Sequence, residues 1–258
     1  MVDAKFIIFM KKYIVLLLLA CLVSTSFTTV TSPSRSKVRA YIEKYKQIAV
    51  LEMQRTNIPA SIILAQGIIE SQYGNSRLAR QGHNHFGLKC RSTWKGKTIL
   101  ASDDAPNECF RKYDNAYQSF IDHSFMITHN KRYNSLFKLK SNNYKGWAKG
   151  LLKAGYATNA KYADLLVTLI KQYELQKFDE ALGNEIATPA VYAQALKRIQ
   201  PIYEPNVPMQ FTYIVNKGDT LHGIAKQFGT SANTIKIENK LLNDALKEGQ
   251  KLKVMLQK

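Results

Sequence analysis

Ile62-Ile63-Leu64-Ala65-Gln66-Gly67-Ile68-Ile69-Glu70-Ser71-Gln72-Tyr73-Gly74 is the stretch on which the reading of this chain turns. It is apolar along most of its length and closes on one carboxylate followed by a polar turn. Asn57 stands where an N-cap would, Pro59 falls in the first turn, and Gly74 takes the place of a helix-ending residue. The segment is therefore predicted as a helix with Glu70 in its last turn. Two circumstances disfavour ionisation there. Apolar neighbours desolvate the carboxylate, and the carbonyl end of the helix presents partial negative charge to it. A carboxylic acid that keeps its proton near neutral pH can protonate a leaving oxygen, as glycosidic cleavage requires. The same residues also fit an exposed glutamate at a helix end.

Outward from this helix the pattern stays mostly helical. Before it, Val38, Tyr41, Ile42, Tyr45, Ile48 and Ala49 recur at helical spacing. After it, residues 86–112 hold Gly87, Gly96 and Pro106 around Lys97-Thr98-Ile99-Leu100, the pattern of loops and a small hairpin. Asp114 is placed to cap a helix carrying Tyr117, Phe120, Ile121 and Phe125. Tyr162, Leu165, Leu166, Leu169, Ile170 and Tyr173 form a further apolar stripe. Residues 38–178 thus read as one mainly helical domain. Residues 179–210 carry Pro189, Pro201, Pro205 and Pro208 and read as a linker, with room for a short helix near 190–199. Residues 211–256 form a second, small unit of β-α-α-β order. The fold class expected is α+β, mostly α.

The chain has 258 residues, 45% of them hydrophobic and 22% charged, which excludes a wholly disordered or fibrous protein. Its 37 Lys and Arg against 19 Asp and Glu leave a net charge of +18, so it should prefer polyanions. Lys11 and Lys12 precede the apolar run Tyr13–Val23, too short to span a bilayer, and Ser24, Thr25 and Ser26 follow. Residues 1–26 read as a signal peptide and 27–37 as a disordered leader. Leu18-Leu19-Ala20-Cys21 offers the alternative of a lipid anchor at Cys21. Losing residues 1–26 removes Lys5, Lys11, Lys12 and Asp3 and takes the charge from +18 to +16. Export to the periplasm or cell envelope of a bacterium argues against nucleic acid as the partner. In an oxidising compartment Cys90 and Cys109 are predicted to form a disulfide. His83, His85, His123 and His129 match no metal-ligand spacing and read as polar loop residues, so neither a metal nor a cofactor is expected.

Four ordered blocks carry a resemblance. They are Leu64-Ala65-Gln66-Gly67-Ile68-Ile69-Glu70-Ser71-Gln72-Tyr73-Gly74, Asn84-His85-Phe86-Gly87-Leu88-Lys89, Phe110-Arg111-Lys112-Tyr113 and Ala154-Gly155-Tyr156-Ala157-Thr158. Together they resemble glycoside hydrolase family 73, over roughly residues 38–175. The resemblance implies a lysozyme-like domain that cleaves peptidoglycan as an N-acetylglucosaminidase. It makes Glu70 the general acid and Tyr156 the active-site tyrosine, with Asn84 and Phe86 shaping the cleft floor. Asn159-Ala160 departs from the Asp-Pro of many relatives. The family's second carboxylate is usually a hairpin Glu, and none stands at that place here. Asp104 or Asp103 is left for the task, with Glu108 a poorer candidate; assistance by the substrate's own N-acetyl group is the alternative.

The C-terminal unit has its own signature. Tyr213-Ile214-Val215-Asn216-Lys217-Gly218-Asp219-Thr220-Leu221, with Gly249-Gln250-Lys251-Leu252 closing, resembles a LysM module that binds N-acetylglucosamine-containing glycans. By position, Gly218, Asp219, Thr220 and Leu221 flank one side of the glycan groove, and Asn239, Leu241 and Leu242 the other. The expectation is an exported, monomeric endo-β-N-acetylglucosaminidase acting on peptidoglycan glycan strands and tethered by LysM. The rivals are a lytic transglycosylase or muramidase, and a non-catalytic wall-binding protein suggested by the missing hairpin Glu.

Overall fold

The computed structural model describes residues 35–91, 94–103, 105–140, 142–181, 190–203 and 209–256. The expected signal peptide, Cys21 and residues 27–34 of the expected leader lie outside the described residues, as does Asp104. Residues 35–37, expected in the leader, open the first helix instead. Ser36–Lys258 form one compact unit.

Helix α1 (Arg35–Thr56) buries the stripe Val38, Tyr41, Ile42, Tyr45, Ile48 and Ala49 in the core, where Tyr41 meets Gly67 of α2 (Ala60–Glu70) and Tyr45 stacks on Phe120. In α2 every residue from Ala60 to Ile68 is buried, so it is a core helix rather than a surface one. Its start differs from expectation. Asn57 ends α1 in the left-handed region, at φ 61°, with its N–H on the Met53 carbonyl. Pro59 then takes the N-cap position and supplies no side-chain acceptor. The acceptor comes from far along the chain. Asp179 takes the Ser61 N–H at 2.8 Å and the Ser61 hydroxyl at 2.6 Å. At the other end Gln72, Tyr73 and Gly74 all have positive φ, which swings the chain away just past Glu70. Gly67 sits under the Tyr41 ring; a Cβ there would come within 2.6 Å of the Tyr41 hydroxyl, so glycine is what lets α1 and α2 approach.

After α3 (Arg77–Gly82), β1 (Thr98–Ala101) and β2 (Glu108–Arg111) form the expected hairpin, pairing Thr98 with Arg111 and Ala101 with Glu108. The Cys90–Cys109 disulfide ties the preceding loop to β2. Helix α4 (Ala116–Thr128) is capped by Asn115, whose side chain accepts the Gln118 N–H. Asp114 instead pairs with Lys97 and Arg198. Helices α5 (Tyr144–Lys153) and α6 (Tyr162–Gln172) complete the larger unit, with 3-10 segments at Lys131–Lys138 and Leu175–Ala181. Trp147, Tyr133, Phe120, Phe125, Ile62 and Ile63 lie at its centre.

The stretch expected as a linker contains a 14-residue helix, α7 (Ala190–Tyr203), longer than the short one allowed for. It is packed, not merely helical. Tyr192, Ala193, Ala195, Leu196 and Ile199 are all buried. Near its start the Tyr192 hydroxyl donates to Glu52 at 2.6 Å, and at its end the Tyr203 hydroxyl donates to Asp122 at 2.6 Å. The Tyr203 ring also stacks on Phe125 at 5.0 Å. The prolines that suggested a linker flank this helix or, as Pro201, sit in its exposed last turn.

The C-terminal unit has the expected βααβ order: β3 (Met209–Ile214), α8 (Leu221–Phe228), α9 (Ala232–Glu238) and β4 (Lys251–Leu256). The strands pair antiparallel from Met209–Leu256 to Ile214–Lys251. This unit rests on α7, where Gln194 donates to the Gln227 carbonyl and the Tyr192 ring lies 6.2 Å from Phe211. No helix among the described residues is long and apolar enough to cross a membrane.

Candidate active site

Glu70 ends α2 half-buried, and its carboxylate meets α6 rather than water on one side. Tyr162, the first residue of α6, donates its hydroxyl proton to Glu70 Oε1 at 2.9 Å. The same hydroxyl accepts from Gln66 Nε2 at 3.2 Å. Gln66 lies four residues before Glu70, on the same helix face. The three side chains therefore form a chain that orients the carboxylate. Burial pushes the Glu70 carboxyl above the usual range; the Tyr162 hydrogen bond opposes this, and the negative charge of Asp103 adds to it. Glu70 is thus biased towards the protonated form that a general acid needs.

Asp103 follows β1 and lies within electrostatic reach of Glu70. Lys89 holds it at 3.2 Å and also binds Glu108 Oε1 at 2.8 Å. The other Glu108 oxygen accepts the Ala105 N–H. Glu108 is therefore engaged in bracing the hairpin turn, and Asp103 is the described hairpin acid whose charge reaches Glu70.

Tyr156 stacks on Tyr162 at 5.7 Å and meets His123 edge-on at 6.0 Å. Burial, with Tyr162 and Glu70 beside it, keeps its phenol protonated. Tyr162 is the residue that sequence reasoning missed, because it read as the first member of an apolar stripe. Its hydroxyl was the available signal: a leucine would fill the stripe as well. The departure Asn159-Ala160 forms the turn that leads into it. The Asn159 side chain accepts the Lys161 N–H and its carbonyl accepts the Tyr162 N–H, both at 2.9 Å.

Asn84 and Phe86, expected to shape the cleft floor, are both buried. Asn84 is 1% exposed and spends its amide on the Leu88 N–H and the Leu88 and Arg111 carbonyls, which ties the 84–88 turn to β2. Phe86 is buried, with its ring 3.9 Å from that of His123. Two histidines depart from the polar loop setting expected of them. His123 lies inside α4 with both ring nitrogens unpartnered among the described residues, and burial lowers its pKa to about 3. His85 is buried between the Tyr41 and Tyr45 hydroxyls, 3.1 and 3.4 Å away, and its pKa falls to about 4, burial being the main cause. Neutral imidazole packs here as an aromatic ring.

In the C-terminal unit, most of the named residues serve local geometry. Asp219 accepts from the Tyr213 hydroxyl at 2.6 Å and the Asn216 N–H at 2.7 Å. Thr220 caps α8, Leu221 is buried, and Gly218 turns at φ 87°. Asn239 bonds both backbone groups of Lys253 at 2.7 Å, fastening α9 to β4. Leu241 is partly buried while Leu242 is 99% exposed, an apolar side chain with no packing role.

The glucosaminidase family model, described as mannosyl-glycoprotein endo-beta-N-acetylglucosaminidase, matches residues 46–175, and the LysM domain model matches residues 213–254. Among curated relatives, the exo-glucosaminidase LytG of Bacillus subtilis strain 168 is 31% identical over 153 residues, 55% of this chain and 54% of that protein. A probable N-acetylmuramidase of Lactococcus lactis is 27% identical, covering 86% of this chain and 53% of its own. The chain spans about half the length of the curated relatives it matches. Among solved structures, an N-acetylmuramoyl-L-alanine amidase from Staphylococcus aureus aligns over 77% of this chain and 60% of its own, with a TM-score of 0.51 and 26% identity. With the family model spanning half of its residues, the chain belongs to the glucosaminidase family and carries a LysM domain behind it.

Proposed function

We propose that the protein is an exported peptidoglycan hydrolase that cleaves the β-1,4 bond at N-acetylglucosamine. The observation that carries this is the Gln66–Tyr162–Glu70 chain, which fixes a half-buried acid whose proton affinity is raised by burial and by Asp103. Glu70 protonates the glycosidic oxygen as the bond to the anomeric carbon breaks. Asp103, held by Lys89, stabilises the oxocarbenium-like charge or orients water on the hairpin side. Tyr156 lines the cleft beside Tyr162 as an apolar-faced platform for sugar. The LysM unit keeps the enzyme on its polymer and so raises the local substrate concentration.

Glu70→Gln keeps the shape and removes the proton. It is expected to abolish release of reducing ends from purified sacculi and to leave sacculus binding intact; wild-type-like lysis by this variant would sink the assignment. A second reading, muramidase action, is favoured by the name of the Lactococcus relative. Mass spectrometry of the products separates them. New reducing N-acetylglucosamine ends support the first reading, and reducing or anhydro muramic ends support cleavage at the other bond.

A further inference from the structure

A cavity of about 620 Å³ opens between the foot of the hairpin and the last turns of α7. It is not the Glu70 cleft. Lys97 at its rim precedes β1 and Asp103 follows β1, so the four-residue strand carries the chain about 13 Å away from the rim towards the Asp103 end.

Its lining combines two chemistries. Trp94, Ile199, Pro201 and Ile202 give an apolar wall, with Ile202 38% exposed despite its size. Lys95, Lys97, Lys112 and Arg198 ring that wall, and Asp114 is the one acid among them. Asp114 is already shared by Lys97 and Arg198, a bridge that also fastens α7 to the hairpin side. The charges of Lys95 and Lys112 have no ion-pair partner among the described residues.

The wall is preformed. The Trp94 indole N–H donates to the Lys97 carbonyl at 3.0 Å, its ring stands edge-on to Tyr113, and the Arg111 guanidinium lies 4.9 Å from it. A Cβ on Gly96 would come within 2.4 Å of the indole, so the loop folds back over Trp94 only because residue 96 has no side chain. The facing wall is equally fixed, since Tyr203 anchors the end of α7 to Asp122. A cavity that is already formed spares the protein's share of the ordering cost on binding.

We propose that this cavity is a second substrate contact, taking a carboxylate-bearing peptide with short aliphatic side chains: the stem peptide of peptidoglycan. The inference rests on the hydrolase reading for its substrate. The wall polymer presents peptides of this kind beside every glycan strand. Their carboxylates suit the ammonium groups of Lys95 and Lys112, and their methyl groups suit the Trp94–Ile202 wall. A phosphate polymer would answer the charge and leave the apolar wall wet; a bare glycan would leave the charge unanswered.

The chain holds two tryptophans, and Trp147 is fully buried, so a ligand-dependent change in fluorescence reports on Trp94. The full chain is titrated with a soluble stem tetrapeptide bearing free carboxylates. A saturable change is expected. It should weaken about tenfold in a Lys95→Glu, Lys112→Glu double variant and with the peptide amidated. A Lys131→Glu, Lys138→Glu variant, altered equally in charge on an exposed segment elsewhere, should titrate like the wild type. Saturation by poly(glycerol phosphate) but not by the peptide overturns the proposal, and so does no response to either. Equal weakening in both double variants overturns it too, because the effect would then be bulk charge. The Glu70→Gln variant should bind the peptide unchanged. Lysis by that variant would remove the hydrolase reading, whereas failed titration would remove only the peptide site.

Discussion

Glu70 is subject to influences of opposite sign, and each can be removed by one substitution. Asp103→Asn takes away a neighbouring negative charge that raises the Glu70 proton affinity. Glu70 then ionises at lower pH, so the alkaline limb of the kcat/KM profile on sacculi should move towards acid. Tyr162→Phe acts the other way on titration, since it removes a hydrogen bond that favours the carboxylate. Its alkaline limb should move to higher pH, while kcat falls about tenfold as the acid loses its orienting partner. Limbs that moved together in both variants would show that another group governs the profile. Glu70 was legible because its apolar helix and Gly-ended turn fall inside an ordered motif; the local features by themselves fit an exposed glutamate equally. Tyr162 was not, because its partner lies 92 residues away and a tyrosine at that spacing also fits a core stripe.

At the scale of elements, α7 is where the linker reading and the structure diverge. Prolines on both sides signalled a break, yet the buried face of Tyr192, Ala193, Leu196 and Ile199 has ordinary helical spacing. What makes the segment a strut is a set of partners in other elements. Asp122 of α4 accepts from Tyr203, from Tyr113 and from Arg111 Nη1, which reaches both carboxylate oxygens at 2.7 Å, so its charge is buried yet satisfied. Tyr203→Phe removes one of these donors and leaves the rest. Urea denaturation should show a loss of about 1–2 kcal/mol; a loss near zero would mean that the ring stacking on Phe125 alone holds the helix end. A similar logic governs the start of α2, capped by Asp179 from 118 residues on after Asn57 turned out to end the preceding helix.

For the whole molecule, the net charge of +18 acts at longer range than any single contact. It should draw the protein to an anionic wall, and the attraction should fade as salt shortens the screening length from about 10 Å at 0.1 M to about 3 Å at 1 M. Sedimentation of the Glu70→Gln variant with sacculi across that range should show a falling bound fraction. Binding that stayed constant would assign retention to the LysM domain, where Leu242 is exposed, rather than to charge. Because α7 packs on both α4 and α8, the glucosaminidase and LysM domains meet through a docked helix.

The sequence by itself determined the helical class, the hairpin, the βααβ unit, the acid at the end of α2 and the pairing of two cysteines in a short loop. The first four depend on periodicity, turn residues or an ordered motif within a short window, and the cysteine pairing on the even count left outside the signal peptide. Only the tertiary structure decided that Tyr162 holds Glu70, that Glu108 braces the hairpin while the charge of Asp103 reaches the acid, that His85 and His123 are core rings, and that α7 is a strut. These depend on which side chains meet across as many as 140 residues of chain, and no local pattern encodes a partner that only packing brings into contact.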